Sequence, residues 1–195
     1  MGKVFTHMTM SLDGFIADPK DDPGELFDWY QAGEVDIENQ NETVEMRVDD
    51  DSAEVLREWT SNTGALIAGR RLFDIADGWG DKHPVNAPVV VVTHQPPADA
   101  ATKWPTTTFV DSVEAGVAKA QEIAGDRHIS IASASIIQQA LALGLVDEVY
   151  VSLVPVLFGE GISYFGKVDQ GHLLLEDPEV VRGRRATHLR YKVSR

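Results

Sequence analysis

The 195-residue chain has no cysteine at all. Disulfide frameworks, thiolate metal sites and cysteine nucleophiles are therefore excluded. It is also poor in positive charge: 17 Lys and Arg stand against 31 Asp and Glu, a formal net charge of −14. Nucleic acid and anionic membrane both need a broad basic face, so neither is expected as a partner. A small anionic ligand in a local pocket stays open. Long hydrophobic runs are missing too. No stretch approaches a membrane span, and Met1-Gly2-Lys3-Val4-Phe5-Thr6-His7 lacks the apolar core of a signal peptide, which predicts a cytoplasmic protein. In that compartment the acceptor pattern Asn41-Glu42-Thr43 is idle.

Other chemical signatures are equally lacking. The six histidines (7, 83, 94, 128, 172 and 188) show no ligand spacing, so no metal is expected. Asp49-Asp50-Asp51 suits a helix start better than a calcium site. There is no Gly-x-Ser-x-Gly elbow and no phosphate loop. Gly159-Glu160-Gly161 begins like a dinucleotide fingerprint, but Tyr164 stands where its third glycine belongs.

What is present is an ordinary globular composition, 43% hydrophobic and 25% charged, at a length suited to one domain over 1–195. The charge is localised. Residues 18 to 58 hold 15 acidic and 3 basic side chains, whereas the stretch from Arg182 onward holds 6 basic and none acidic. With Pro19, Pro23, Gly24 and Gly33, residues 18–48 read as a polar, acidic insertion with one short helical turn. It is either a solvated loop or a lid, with Leu26, Phe27, Trp29 and Tyr30 facing inward. Trp29, Trp59, Trp79 and Trp104 are expected as core or lid anchors.

Elsewhere strand and helix patterns alternate. Strands are expected at Val4 to Met10, Ala65 to Ala68, Pro88 to Thr93 (four consecutive valines), Thr107 to Val110, Ile129 to Ala132 and Asp147 to Leu157. Helices are expected from Asp49 to Thr60, after Gly69, from Ser112 to Ala124, and from Ala134 to Leu143 before Gly144. Leu173 to Leu175 and Ala186 to Val193 suggest a closing antiparallel hairpin. The fold class is α/β: a central mixed, mainly parallel sheet flanked by helices, with antiparallel C-terminal strands.

Ligands in such sheets bind at strand ends, where helix N-termini aim their amides. Gly69-Arg70-Arg71 puts two cations at a helix start. They weaken the helix and favour an anion, though a plain surface pair is the alternative. Thr93-His94 ends the valine strand. Ala132-Ser133-Ala134-Ser135-Ile136 joins strand to helix with small residues, which admit a pyrophosphate or simply cap the helix. Asp13, in the apolar loop Ser11 to Ala17, is a polar site group or a turn-forming residue.

These junctions together resemble the dihydrofolate reductase superfamily, and more closely the reductase half of the bifunctional riboflavin-pathway deaminase-reductase and its stand-alone relatives. The resemblance rests on Met10-Ser-Leu-Asp-Gly-Phe-Ile-Ala17, Gly69-Arg-Arg-Leu-Phe73, Pro88-Val-Val-Val-Val-Thr-His94, Ile129 to Gly144, Leu145-Val-Asp-Glu148 and Pro155-Val-Leu-Phe-Gly-Glu-Gly161. It implies NADPH binding and hydride transfer to a pterin-like or pyrimidine-like heterocycle. By that resemblance Arg70 and Arg71 face the cofactor phosphates and Thr93 and His94 border the 2′-phosphate. Residues 133 to 136 hold the pyrophosphate, Ile16 and Ala17 line the nicotinamide, and Asp13 lies near the reacting centre. The family usually has adjacent glycines where this chain has Ala132-Ser133. A non-catalytic ligand-binding protein on the same fold is therefore the rival reading. Strand Val149 to Leu157 and the closing hairpin are candidates for a homodimer seam.

Overall fold

Four valines in a row, with short apolar runs beside them, dictate strands covered on both faces. In the computed structural model, which describes residues 2–166 and 171–194, they form interior strands of one eight-stranded sheet, the valines lying next to its edge. Its strands are β1 (Val4–Ser11), β5 (Thr63–Gly69), β6 (Val89–Val92), β7 (Thr108–Val110), β8 (His128–Ile131), β9 (Glu148–Val154), β11 (Glu179–Arg182) and β12 (Thr187–Lys192). The order is β11-β12-β9-β1-β8-β5-β6-β7, parallel from β9 to β7 and antiparallel at β12 and β11. Two small pairs complete it: β2 (Phe15–Ala17) with β10 (Ile162–Ser163), and β3 (Val35–Asp36) with β4 (Arg47–Val48). The expected α/β class and mainly parallel sheet are present.

The helices are α1 (Asp50–Asn62), α2 (Arg70–Ile75), α3 (Ala100–Lys103), α4 (Val113–Ala124) and α5 (Ala134–Ala142). Two begin where capping chemistry predicts: Asp49 accepts from the Ser52 amide, and Ser112 from the Ala115 amide. Helices α4 and α5 bury Val117, Ala120, Ile136 and Ile137 against Ile67, Val90, Ile131 and Val151 on one face. On the other, Phe73 and Trp104 cover Leu66, Ala68, Val89 and Val91.

Two expectations are corrected. The closing hairpin is Glu179–Arg182 with Thr187–Lys192; of Leu173 to Leu175, only Leu175 bridges the sheet, to Val193. The strand after Asp147 also ends early, at Val154. The acidic insertion, in turn, is not a solvated loop. Its 3₁₀ segment Gly24–Gln31 inserts Leu26 (0% exposed) and Trp29 (1%) into a third cluster with Met46, Val48, Leu56, Val154 and Ala186. Most of its charges point outward while most of its apolar residues, Phe27 excepted, point in. Leu26→Ala is therefore expected to cost about 2–5 kcal/mol in denaturant unfolding, as a core truncation does. A loss below about 0.5 kcal/mol would show that the segment contributes no packing.

Burial also reaches three imidazoles, His188 fully and His7 and His83 in part. It lowers His7 and His83 to about 3 and His188 to about 4, from an ordinary 6.5. Below pH 6.5 the unfolded chain takes up protons that the folded chain refuses. This stability is complete above 6.5 and declines as pH falls toward the folded values, by up to about 1.4 kcal/mol per pH unit for each histidine. His83→Gln is expected to flatten stability against pH between 6.5 and 4, measured by urea unfolding at several pH values. An unchanged slope would place His83 in water.

Candidate functional site

Parallel strands β1, β5, β6 and β8 all end at one edge of the sheet, so the loops after them meet there. At that edge β5 and α5 approach closely. A Cβ added to Gly69 would lie 3.1 Å from Ile136 Cγ1 and 3.4 Å from Ser133 Cβ, a tight fit that a glycine relieves. Ser133 sits at φ +88°, an unusual backbone for a residue with a side chain, and its Oγ accepts from the Gly69 amide at 2.9 Å. Next to it, the amides of Ala134 and Ser135 open α5 without a hydrogen-bond partner among the described residues.

Two arginines flank this corner. Arg70 Nε contacts Asp74 at 2.8 and 2.9 Å, and its NH1 donates to the Gln95 carbonyl. The Gln95 amide in turn donates to Thr93 Oγ1 at 3.1 Å. Arg70, Thr93 and the exposed His94 thus belong to one rim. Arg71 reaches the other way, to Asp21 of the acidic insertion, at 2.5 and 3.0 Å. Gly69, Arg70, Thr93, His94 and residues 132 to 136 are brought together at the strand ends. Ile16 and Ala17 lie on β2, with Ala17 paired to Ile162 and Ile16 packed on the cluster that holds Ile136.

Asp13 stands apart from that rim. Its carboxylate accepts from Ser11 Oγ at 2.6 Å and from the Phe158 and Gly159 amides at 3.1 and 2.7 Å. The Ser11 hydrogen bond, aided by those amides, holds it below the usual carboxylate range. Its lone pairs fasten the loop after β1 to the loop after β9.

Beside Ala132, on the face covered by α1, a cavity of about 620 Å³ opens. His7, Met8 and Thr9 of β1 form one wall, and Trp59 of α1 another. Phe27 and Tyr30 close it from the 3₁₀ segment, and Trp79 and His83 from the loop after α2. Among the described residues no Lys or Arg lines it, and the one acidic residue there, Glu45, is exposed. Burial raises the Tyr30 phenol, so that group is neutral as well. Of the four residues expected to face inward from the insertion, Phe27 and Tyr30 border the cavity, whereas Leu26 and Trp29 enter the core.

Sequence reasoning missed His7, His83, Trp59 and Trp79 as site residues. For His7 a signal was available: a strand otherwise buried on both faces carries an imidazole at its centre, and a buried polar group needs a partner. It has one, Ser152 Oγ at 3.0 Å.

Similarities to other proteins follow the same outline. Over 99% of both chains, the protein superposes on a Shewanella sp. PV-4 protein described as a riboflavin biosynthesis protein, with 22% identity and a TM-score of 0.70. Acinetobacter baumannii RibD matches at 14% identity and TM-score 0.65, the chain spanning 58% of that protein's length. Dihydrofolate reductase from Enterococcus faecalis, in a complex with NADP(H), matches at 17% identity and TM-score 0.60, over 100% of this chain and 98% of that one. At these identities the likeness establishes the fold. No curated protein sequence matches significantly. The RibD C-terminal domain pattern, however, matches residues 2–189, nearly the entire chain. The chain belongs to the RibD C-terminal domain family.

Proposed function

We propose that the protein is an NADPH-dependent reductase that transfers a hydride to a small, uncharged pterin-like or pyrimidine-like heterocycle. The observation that carries this reading is one junction. Ala132 lines an aromatic cavity without cations, and the next residues turn into the free amides of α5 beside Arg70 and Arg71. An anionic dinucleotide suits the second half and a neutral ring the first. The corner also fits the cofactor in charge, since the first amides of α5 are without a partner among the described residues and two arginines follow the adjoining Gly69.

The residues that would hold NADPH are Arg70 and Arg71 at its phosphates, Thr93 and His94 at the 2′-phosphate, and residues 133 to 136 at the pyrophosphate. Ile16 and Ala17 would face the nicotinamide. When bound, the cofactor supplies the hydride. The chain supplies alignment and dryness. Trp59, Trp79, Phe27 and Tyr30 give a planar ring flat apolar walls, and the buried Leu26 and Trp29 hold the wall they belong to in place. Asp13 acts at one remove, fixing the loop that carries Ile16 and Ala17.

Arg71 must exchange Asp21 for a phosphate if it is to serve. The carboxylate then works as a competitor that keeps the arginine placed in the free protein. A second reading, a ligand-binding protein without catalysis, draws on Ser133, whose hydroxyl already takes the Gly69 amide.

Titration with NADPH and NADH, followed by tryptophan fluorescence through Trp59 and Trp79, tests both. NADPH is expected to bind more tightly than NADH. Arg70→Ala should weaken NADPH by roughly tenfold or more, the scale of a lost charge-assisted hydrogen bond. Asp21→Ala should tighten it severalfold by freeing Arg71. Absence of binding to either nucleotide at millimolar concentration overturns the reductase. Tight NADPH binding without turnover of any pterin or pyrimidine favours the second reading.

A further inference from the structure

Beneath α1 runs a continuous line of hydrogen bonds that nothing in the cofactor reading uses. His7 Nε2 meets Ser152 Oγ at 3.0 Å, and Ser152 Oγ meets His188 Nδ1 at 3.0 Å. His188 Nε2 meets Ser52 Oγ at 3.1 Å, and Ser52 Oγ donates to Asp49 Oδ2 at 2.8 Å. Three strands and one helix contribute: β1, β9, β12 and the first turn of α1. Ser152, Ser52 and His188 are buried.

The chain has a direction, set at its Asp49 end. Burial acts to raise that carboxyl, but the Arg184 amide at 2.7 Å and both Ser52 donors outweigh it, so it titrates below the ordinary range. An ionised carboxylate only accepts. Ser52 must then give Asp49 its hydroxyl proton and accept from His188 Nε2–H. A neutral His188 so protonated has a bare Nδ1, which accepts from the Ser152 hydroxyl. The Ser152 oxygen in turn accepts from His7 Nε2–H. His7 is likewise neutral, so its Nδ1 is a lone pair. Among the described residues that atom has no hydrogen-bond partner, and His7 forms part of the wall of the 620 Å³ cavity.

We propose that His7 is the residue that recognises the heterocycle: its Nδ1, held as a lone pair by the chain ending on Asp49, accepts a ring N–H of the substrate. This rests on the reading of the cavity as a heterocycle pocket. The class of ligand follows from the acceptor. A cyclic amide or amidine N–H complements a neutral imidazole nitrogen in a cavity without cations, whereas a ring presenting only acceptors leaves it unpaired. The surroundings keep the imidazole uncharged. Trp59 of α1 packs edge-on at 4.4 Å, and His188 of β12 opposes a second positive charge. At the small cavity that His7 also lines, Glu58 and Glu179 are both paired with Arg190.

Nitrogen NMR of labelled imidazoles tests the chain in the free protein, with the His7 signals assigned by their loss in His7→Gln. His7 and His188 are expected as neutral Nε2–H tautomers at pH 7, and Ser152→Ala should leave His188 so while His7 becomes a mixture. An Nδ1–H tautomer at His7, or a His7 indifferent to Ser152→Ala, overturns the proposal. The ligand half is tested with a pterin carrying a free lactam N–H and its N-methylated analogue. The free pterin should shift the His7 Nδ1 resonance, and the methylated one should bind roughly tenfold more weakly. Equal affinities overturn recognition by His7. If neither binds while the tautomers are as stated, the heterocycle pocket itself is refuted and the ligand half falls with it.

Discussion

One carboxylate organises the face of the sheet on which the cavity lies. Asp49 caps α1 through the Ser52 amide, accepts the Ser52 hydroxyl, and takes the Arg184 amide from the β11–β12 turn. It therefore joins a helix start to a hairpin 135 residues away. The approach is close enough that a Cβ on Gly183 would fall 2.0 Å from Ser52 Oγ, so only glycine fits the turn. With both ends fixed, α1 lies over β1, β9 and β12, and the polar side chains those strands raise on that face must find partners beneath it. They find one another, from Ser52 to His188 to Ser152 to His7. The position of the cavity wall is thus a consequence of satisfying buried polar groups.

The acidic composition takes on a different meaning with the packing in view. The insertion carries most of the negative charge, yet it is anchored by Leu26 and Trp29 and adds its own layer to the core. Burying two such side chains is worth roughly 1.5–3 kcal/mol each, enough to order a segment most of whose charges remain in water. One of those charges, Asp21, crosses to Arg71 at the start of α2. The excess of carboxylates therefore does not oppose an anionic ligand everywhere. It places one carboxylate where it holds an arginine in position.

Much of this was legible beforehand, for identifiable reasons. Strands covered on both faces write continuous apolar runs, so the valines at 89 to 92 and the run around Leu66 could be read directly. Helix starts were marked by Asp49 and Ser112 acting as caps. The edge strand Glu179-Val180-Val181-Arg182 was not legible. It has solvent on one side and charges at both ends, and the neighbouring Leu173-Leu174-Leu175 offers a stronger hydrophobic signal without pairing along its length. In the insertion, Leu26 and Trp29 share one 3₁₀ segment, but Met46 and Val48 come from a separate stretch near β4, so no periodicity reveals that the two pairs meet. The corner where Gly69 meets Ser133 could be read from the sequence because its logic is local, a strand end beside a helix start. The cavity was missed because its walls come from β1, α1, the insertion and the loop after α2, elements far apart in sequence.

That difference in legibility has a physical counterpart in the division of labour. Binding a polyanion needs exposed donors, which short motifs at strand ends provide, and it tolerates competition from water and from Asp21. Orienting a neutral ring needs the opposite: dry aromatic walls and few polar atoms of defined polarity, because a misdirected donor in a low-dielectric site costs more than a good one gains. An imidazole alone has no defined polarity, since either nitrogen can carry the proton. Here the ambiguity is removed at a distance, by an acid whose own ionisation is secured by backbone amides at the protein surface. The charge remains at the rim, and only its directional consequence reaches the cavity.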